Sequence, residues 1–265
     1  MTRPPPLPLN ASRGDIRRLP TVFESGSCRF TISGTDEALL EQLSGLFARA
    51  GESVGEPVID IEIDPKYSND QIGSAVRQIV VTVIAQHSKN LYVEGAAILN
   101  RANELVLLVG TTRAGKSTLS AALTLGLGWK ILTEDLVILD LSNKYILPLN
   151  FPISLRPGAK ELIEAAIGLR VQTKGESDVW MPIEASCVKT EARFDKVVLL
   201  EAPNGKEIAC FDLAPEQAVR LILPASNAIY SDQRIDDLME MIKGARCLRL
   251  TGGSVKERVD AIERT

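Results

Sequence analysis

Gly110-Thr111-Thr112-Arg113-Ala114-Gly115-Lys116-Ser117 follows an almost unbroken apolar run, Glu104-Leu105-Val106-Leu107-Leu108-Val109. The eight residues meet every specified position of G-x-x-x-x-G-K-[ST]. A run this continuously apolar predicts a strand covered on both faces. After the loop, Thr118 to Leu127 places Leu119, Ala122, Leu123 and Leu127 at helical spacing, and Gly128 is the residue expected to stop that helix. Strand, glycine-bearing loop and helix in this order form a cradle for an anion. Glycine lets the backbone turn tightly, so that successive N–H groups point inward, and the helix adds positive charge at its N-terminus.

Working outward, Ile131-Leu132, Val137-Ile138-Leu139 and Tyr145 to Leu149 read as strands. Strand–helix–strand within about thirty residues points to an α/β core. Further helices are expected at Ala159–Ile167, Pro215–Leu223, Ile235–Gly244 and Ser254–Glu263. Strands are expected at Val197–Leu200, Ile208–Asp212 and Cys247–Leu250. Upstream the pattern differs. Cys28–Ile32 reads as a strand, and Asp36–Ala50 as a helix with Leu39, Leu40, Leu43, Leu46 and Phe47 on one stripe, ended by Gly51. Val58–Ile63 alternates as a half-buried strand, and Gln78–Ile84 fits a strand or a short helix. This divides the chain into a proline-rich basic tail (1–20), a small α+β unit (21–88) and a larger α/β domain (89–265). The tail, with Pro4, Pro5, Pro6, Pro8, Arg13, Arg17 and Arg18, reads as flexible or as a partner-docking arm.

Composition narrows the function classes. The 265 residues are 45% hydrophobic and 24% charged, which are globular values. A net charge of −4 and 5% aromatics argue against a dedicated nucleic-acid binder, whose domains carry a basic excess and stacking rings. Apolar runs fall far short of the roughly 20 residues of a membrane helix, so the chain reads as soluble and cytoplasmic. Cys28, Cys187, Cys210 and Cys247 are scattered, and the single histidine, His87, is distant from each, so free thiols are expected rather than a zinc site.

Within the loop, Gly110, Thr111, Thr112, Arg113, Ala114, Gly115, Lys116, Ser117 and Thr118 are the expected nucleotide contacts. Lys116 would reach the β- and γ-phosphates, and the Ser117 hydroxyl would ligate magnesium. Thr133-Glu134-Asp135 closes the strand after the loop helix, so its two carboxylates are expected at the same crevice. They can divide two roles there, holding a metal shell and accepting a proton from an attacking hydroxyl. Arg156 is a candidate clamp for phosphate or acceptor oxyanions, or a surface ion-pair partner. Arg113 either leans over the phosphates or faces solvent.

The succession Glu94-Gly95-Ala96, then Gly110 to Ser117, then Gly128-Trp129-Lys130-Ile131-Leu132-Thr133-Glu134-Asp135 resembles the catalytic core of HPr kinase/phosphorylase and its shorter relatives, the HPr-kinase-like serine kinases. The resemblance spans roughly residues 91–250 and implies a P-loop fold related to phosphoenolpyruvate carboxykinase. It also implies ATP and magnesium as cofactors, and a peptide or protein substrate phosphorylated on serine. Some relatives modify ribosomal precursor peptides, including those of lasso-peptide pathways. Lys116, Glu134, Asp135, Glu94 and Arg156 are the catalytic candidates it implies, with Ser117, Glu134 and Asp135 at the metal and a homo-oligomer as the assembly. The chain departs from the family pattern in carrying Glu134-Asp135 for an Asp-Asp pair and Glu94 for a histidine. The base therefore falls to either Glu134 or Asp135. The phosphorylase signature is not evident around Gly168-Leu169-Arg170, so neither phosphorylase activity nor HPr as substrate is expected. A small-molecule kinase and a nucleotide-binding regulatory or scaffold protein without phosphoryl transfer are the alternatives.

Overall fold

A six-stranded sheet holds the loop, with alternate residues of its central strands buried in different apolar layers. The computed structural model describes residues 22–25, 28–33, 37–44, 48–49, 58–62, 76, 79, 82, 89–149, 151–156, 158–171, 179–181, 190–202 and 207–265. In chain order its elements begin with β1 (Val22–Ser25), β2 (Cys28–Ser33), α1 (Glu37–Ser44), β3 (Ala48–Arg49) and β4 (Val58–Glu62). Next come β5 (Leu91–Val93), β6 (Gly95–Leu99), β7 (Leu105–Gly110), α2 (Lys116–Leu127) and β8 (Lys130–Thr133). There follow β9 (Val137–Asp140), β10 (Tyr145–Leu147), β11 (Ile153–Leu155), α3 (Ala159–Ile167), β12 (Val179–Met181) and β13 (Thr190–Glu191). The chain continues through β14 (Lys196–Leu200), β15 (Ala209–Leu213), α4 (Pro215–Ile222), α5 (Asp232–Ile242), β16 (Arg246–Thr251) and α6 (Val255–Arg264).

The main sheet has the order β15-β16-β14-β7-β6-β8. β7, β14 and β16 run parallel at its centre, while β6 and β15 run against their neighbours. The continuous apolar run of β7 now has its reason. Leu105, Leu107 and Val109 join one apolar layer with Ala218, Val219 and Ile222 of α4 and Leu238 and Ile242 of α5. Val106 and Leu108 join the other with Leu119, Ala122 and Leu123 of α2, Ile163 of α3 and Val259 and Ile262 of α6. Such strands have no polar face to spare, and truncating a fully buried leucine such as Leu107 costs about 2–5 kcal/mol.

One expectation needs correction. The helix read over Asp36–Ala50 ends at Ser44, because Ala48 and Arg49 pair as a strand with Glu24 and Phe23. The apolar spacing of Leu46 and Phe47 gave no sign of that exchange. Gly51 lies outside the described residues. Between Gln78 and Ile84, the described Ile79 and Thr82 are helical. The strand after the loop helix, β8, does not lie beside β7. β6 inserts between them, antiparallel to both, so β7 and β8 still point the same way. Their carboxyl ends therefore meet at one edge of the sheet although the strands never pair.

Phe30, Ile32, Leu39, Leu43 and Ile61 from the first stretch share a third apolar cluster with Leu136, Ile138, Leu149 and Phe151. β9 contributes its alternate residues, Val137 and Leu139, to the layer against α4 and α5. It thereby links the N-terminal strands to the main core and fixes the chain just after Glu134-Asp135. Among the described residues no helix is long and apolar enough to cross a membrane.

Candidate functional site

The loop between β7 and α2 keeps its shape through two glycines with different duties. Gly110 is needed for closeness: a Cβ there would sit 2.4 Å from the Leu200 carbonyl oxygen of the neighbouring β14. Gly115 is needed for conformation, since it adopts φ 89° as the N-cap of α2. Arg113 and Asp135 also take left-handed conformations, at φ 71° and 66°. Both are non-glycine residues in a sparsely populated region, a form of strain that gathers at ligand sites.

α2 begins with no side-chain cap and no acidic residue in its first turn. Its leading N–H groups therefore face the loop with their partial positive charge unopposed. Lys116 folds back and donates from Nζ to the Gly110 carbonyl, 2.8 Å away. The ammonium is thus held across the mouth of the loop by a single backbone oxygen, a contact an arriving phosphate can replace.

Beside the loop lies a cleft of about 250 Å³ lined by Glu94, Thr112, Arg113, Ala114, Gly115, Lys116, Ser117, Thr118, Asp135, Ser154 and Arg156. Most of the residues expected from the sequence meet there. Gly110 and Thr111 instead line a second cleft of about 650 Å³ on the β14 side, together with Glu94. Glu94 is exposed at the corner between β5 and β6. Its backbone N–H donates to the Ala225 carbonyl, while Gly95 donates to the carbonyl of Asp135. The latter bond links the Glu94 corner to the Glu134-Asp135 turn.

The two adjacent carboxylates are separated by environment. Asp135 is exposed and faces the cleft. Glu134 is 2% exposed and lies behind it. Burial pushes the Glu134 carboxyl up to about 8, and the neighbouring Asp135 charge adds to the rise. A hydrogen bond from the Ser117 hydroxyl and the Lys116 ammonium pull in the opposite direction. Glu134 Oε1 has no hydrogen-bond partner. A buried, half-satisfied carboxyl beside a serine hydroxyl and a cluster of N–H groups has unused capacity for a cation. Among the described residues no three carboxylate, imidazole or thiol groups converge on one point. Ser117, Glu134 and Asp135 are the oxygen donors beside the loop that could hold a magnesium ion, a hard cation that takes carboxylate, phosphate and water oxygens.

Two further residues stand at the site without belonging to any motif. Ser154 is the exposed middle residue of β11, between buried Ile153 and Leu155, and that alternation is a strand signature that could have found it. Arg258 lies on α6, 4% exposed. Its guanidinium donates to three backbone carbonyls, from Nε to Gly252 at 2.7 Å, from Nη1 to Ala114 at 2.9 Å and from Nη2 to Glu201 at 3.0 Å. It thus ties the loop to the segments that follow β14 and β16. Among the described residues no carboxylate pairs with it, and the Glu201 side chain pairs instead with Arg249.

Another cavity, of about 490 Å³, lies near the amino end of β16 and is lined by Lys144, Glu191, Arg193, Asp237, Glu240 and Lys243 among others. Its mixed charges come from none of the motif residues. His87 and Cys187 lie outside the described residues, whereas Cys210 and Cys247 are free thiols, one exposed and one buried.

No family model matches the chain, and no curated protein matches it. Among solved structures it is similar to the Hpr(Ser) kinase/phosphatase from Coxiella burnetii, with 12% identity, coverage of 65% of this chain and 93% of that chain, and a TM-score of 0.31.

Proposed function

We propose that the chain is an ATP- and magnesium-dependent phosphotransferase acting on a serine, or a related hydroxyl, of a peptide or protein. The observation that carries the phosphotransferase reading is the unpartnered, buried Glu134 Oε1 behind the Ser117 hydroxyl, at the uncapped start of α2. A turn that served only the fold would have little reason to bury a carboxyl and leave it half satisfied. The motif succession described above supports the choice of a serine-type acceptor.

In this reading the loop N–H groups and Lys116 bind the triphosphate and stabilise charge on the transferring group. Magnesium, held by Ser117 and Glu134, would neutralise β- and γ-phosphate charge. Asp135, exposed in the cleft, orients the acceptor hydroxyl and takes its proton. The acceptor oxygen bonds to the γ-phosphorus as the bond to the β–γ bridging oxygen breaks, and ADP leaves with that electron pair. Arg156 and Arg113 line the same cleft and offer guanidinium groups to phosphate oxygens. Glu94, at the junction with the second cleft, faces the side from which an acceptor would approach.

Incubation with γ-labelled ATP, magnesium and a panel of serine peptides, proteins and small alcohols tests this reading. Label is expected on a serine-bearing peptide or protein. Label on a small alcohol alone would make the chain a small-molecule kinase. Tight ATP binding with label on no acceptor would make it a nucleotide-binding regulator.

A further inference from the structure

One buried cation at the site has no part in the chemistry described so far. Arg258 of α6 donates from its guanidinium to the carbonyls of Ala114, Glu201 and Gly252. Glu201 and Gly252 are the first residues beyond β14 and β16, and Ala114 lies in the loop beyond β7. These are the adjacent parallel strands at the centre of the sheet. A single side chain therefore pins three carboxyl ends together, at the edge where α/β sheets bind their ligands.

The contact to Ala114 follows from the shape of the loop. A loop that turns successive N–H groups toward an anion turns carbonyls away from it. Ala114 is buried between Arg113 and Gly115, both left-handed, and its carbonyl needs a donor. Arg258 Nη1 supplies one at 2.9 Å, and a Cβ on Gly115 would lie 3.9 Å from the same nitrogen. The guanidinium keeps its proton at any physiological pH. Carbonyl dipoles satisfy its donors without cancelling its charge, and among the described residues no carboxylate pairs with it. A full positive charge thus sits beside Ala114 and Gly115, shielded from water, where charge acts more strongly than in solvent.

We infer that Arg258 is a positioning residue for the phosphate site: it holds Ala114 and Gly115 in the anion-binding conformation and lends its unneutralised charge to phosphate bound there. It touches no reacting atom and acts through the loop. The assignment rests on the phosphotransferase reading and adds to it a control of phosphate affinity from α6.

Calorimetric titration of the full chain with magnesium tripolyphosphate, paired with thermal denaturation, tests it on wild type, Arg258→Met, Arg258→Lys and Arg264→Gln. Arg258→Met removes the charge and all three bonds, and Arg258→Lys keeps the charge without the planar fork. Arg264→Gln changes an exposed arginine of the same helix. Arg258→Met is expected to weaken binding by the folded fraction at least about tenfold, Arg258→Lys to recover part of that loss, and Arg264→Gln to stay within about twofold. A lowered melting temperature with a wild-type dissociation constant would make Arg258 a purely structural tie and overturn the inference. An equal loss in Arg264→Gln would overturn it too, and equal losses in Arg258→Lys and Arg258→Met would overturn the part assigned to charge. Should Arg258→Met fail to fold, hydrogen exchange in wild type decides. Tripolyphosphate is expected to slow amide exchange in α6 as well as in the loop, and an unchanged α6 would overturn the inference. Wild type that binds magnesium ATP but not tripolyphosphate would overturn it as well, whereas binding of neither would bring down the phosphotransferase reading itself.

Discussion

Two neighbouring helix N-termini are finished in opposite ways. α6 starts with a closed capping box. The Ser254 hydroxyl accepts from the Glu257 N–H at 3.3 Å, and the Glu257 carboxylate accepts from the Ser254 N–H at 2.7 Å and from its hydroxyl at 2.8 Å. Those bonds also hold the Glu257 carboxyl below its usual range. α2 starts with Gly115 and has no cap, no first-turn acid and an adjacent buried carboxyl with a free oxygen. The first terminus spends its hydrogen-bonding capacity on itself, whereas the second leaves its leading N–H groups without a side-chain partner. Arg258 joins the two, since it sits on α6 and donates to Ala114 in the loop.

The largest expected effect comes from removing the charge at the open terminus. Lys116→Ala should lower phosphoryl transfer by at least about 10³-fold. Its melting temperature should stay close to wild type, because among the described residues the side-chain hydrogen bond lost is the one to Gly110. A transfer assay paired with thermal denaturation separates catalysis from folding. Loss of both together would mean that the open terminus is part of the folding core.

Asp135→Asn should lower turnover by roughly 10²–10³-fold and leave nucleotide affinity within about twofold. An equal loss of affinity would move Asp135 from proton acceptor to metal anchor.

Glu134 predicts a pH effect on stability in metal-free solution. The carboxyl ionises near 4.5 when unfolded and near 8 in the fold, so the unfolded state sheds its proton first. Stability should therefore fall as pH rises between those values, by up to ~1.4 kcal/mol per pH unit. Glu134→Gln should flatten that slope and be more stable than wild type at pH 8, which denaturant titrations at pH 5 and pH 8 will show. An unchanged slope would mean that Glu134 is not the group held protonated.

The smallest effect belongs to the closed terminus. Ser254→Ala should cost about 1 kcal/mol of stability, read by denaturant unfolding, and leave ATP affinity near wild type.

How legible each feature was depends on how local its cause is. β7, the loop and α2 were legible because strand burial, turn glycines and helix periodicity lie in one contiguous stretch. β6 was not read as a strand, since Gly95-Ala96-Ala97 lacks the branched side chains that mark one, yet its close packing needs that smallness. A Cβ on Gly95 would sit 2.5 Å from the Leu108 carbonyl oxygen. The insertion of β6 between β7 and β8 is a choice of pairing partner, which hydrophobic pattern does not encode. The site follows the same rule. Loop residues announced themselves by spacing, whereas Arg258 reaches Ala114 from 144 positions away and belongs to no motif. Glu134 and Asp135 look interchangeable as letters, and burial alone separates the carboxyl beside Ser117 from the one in the cleft.

The open start of α2, with Ser117 and Glu134, is proposed as a metal–phosphate site. The most direct measurement is calorimetric titration of ATP with and without magnesium into wild type and Ser117→Ala. Wild type should bind ATP more tightly with magnesium, and Ser117→Ala should lose most of that advantage while still binding metal-free ATP. Equal affinity with and without magnesium in wild type, or no ATP binding at all, would contradict the account.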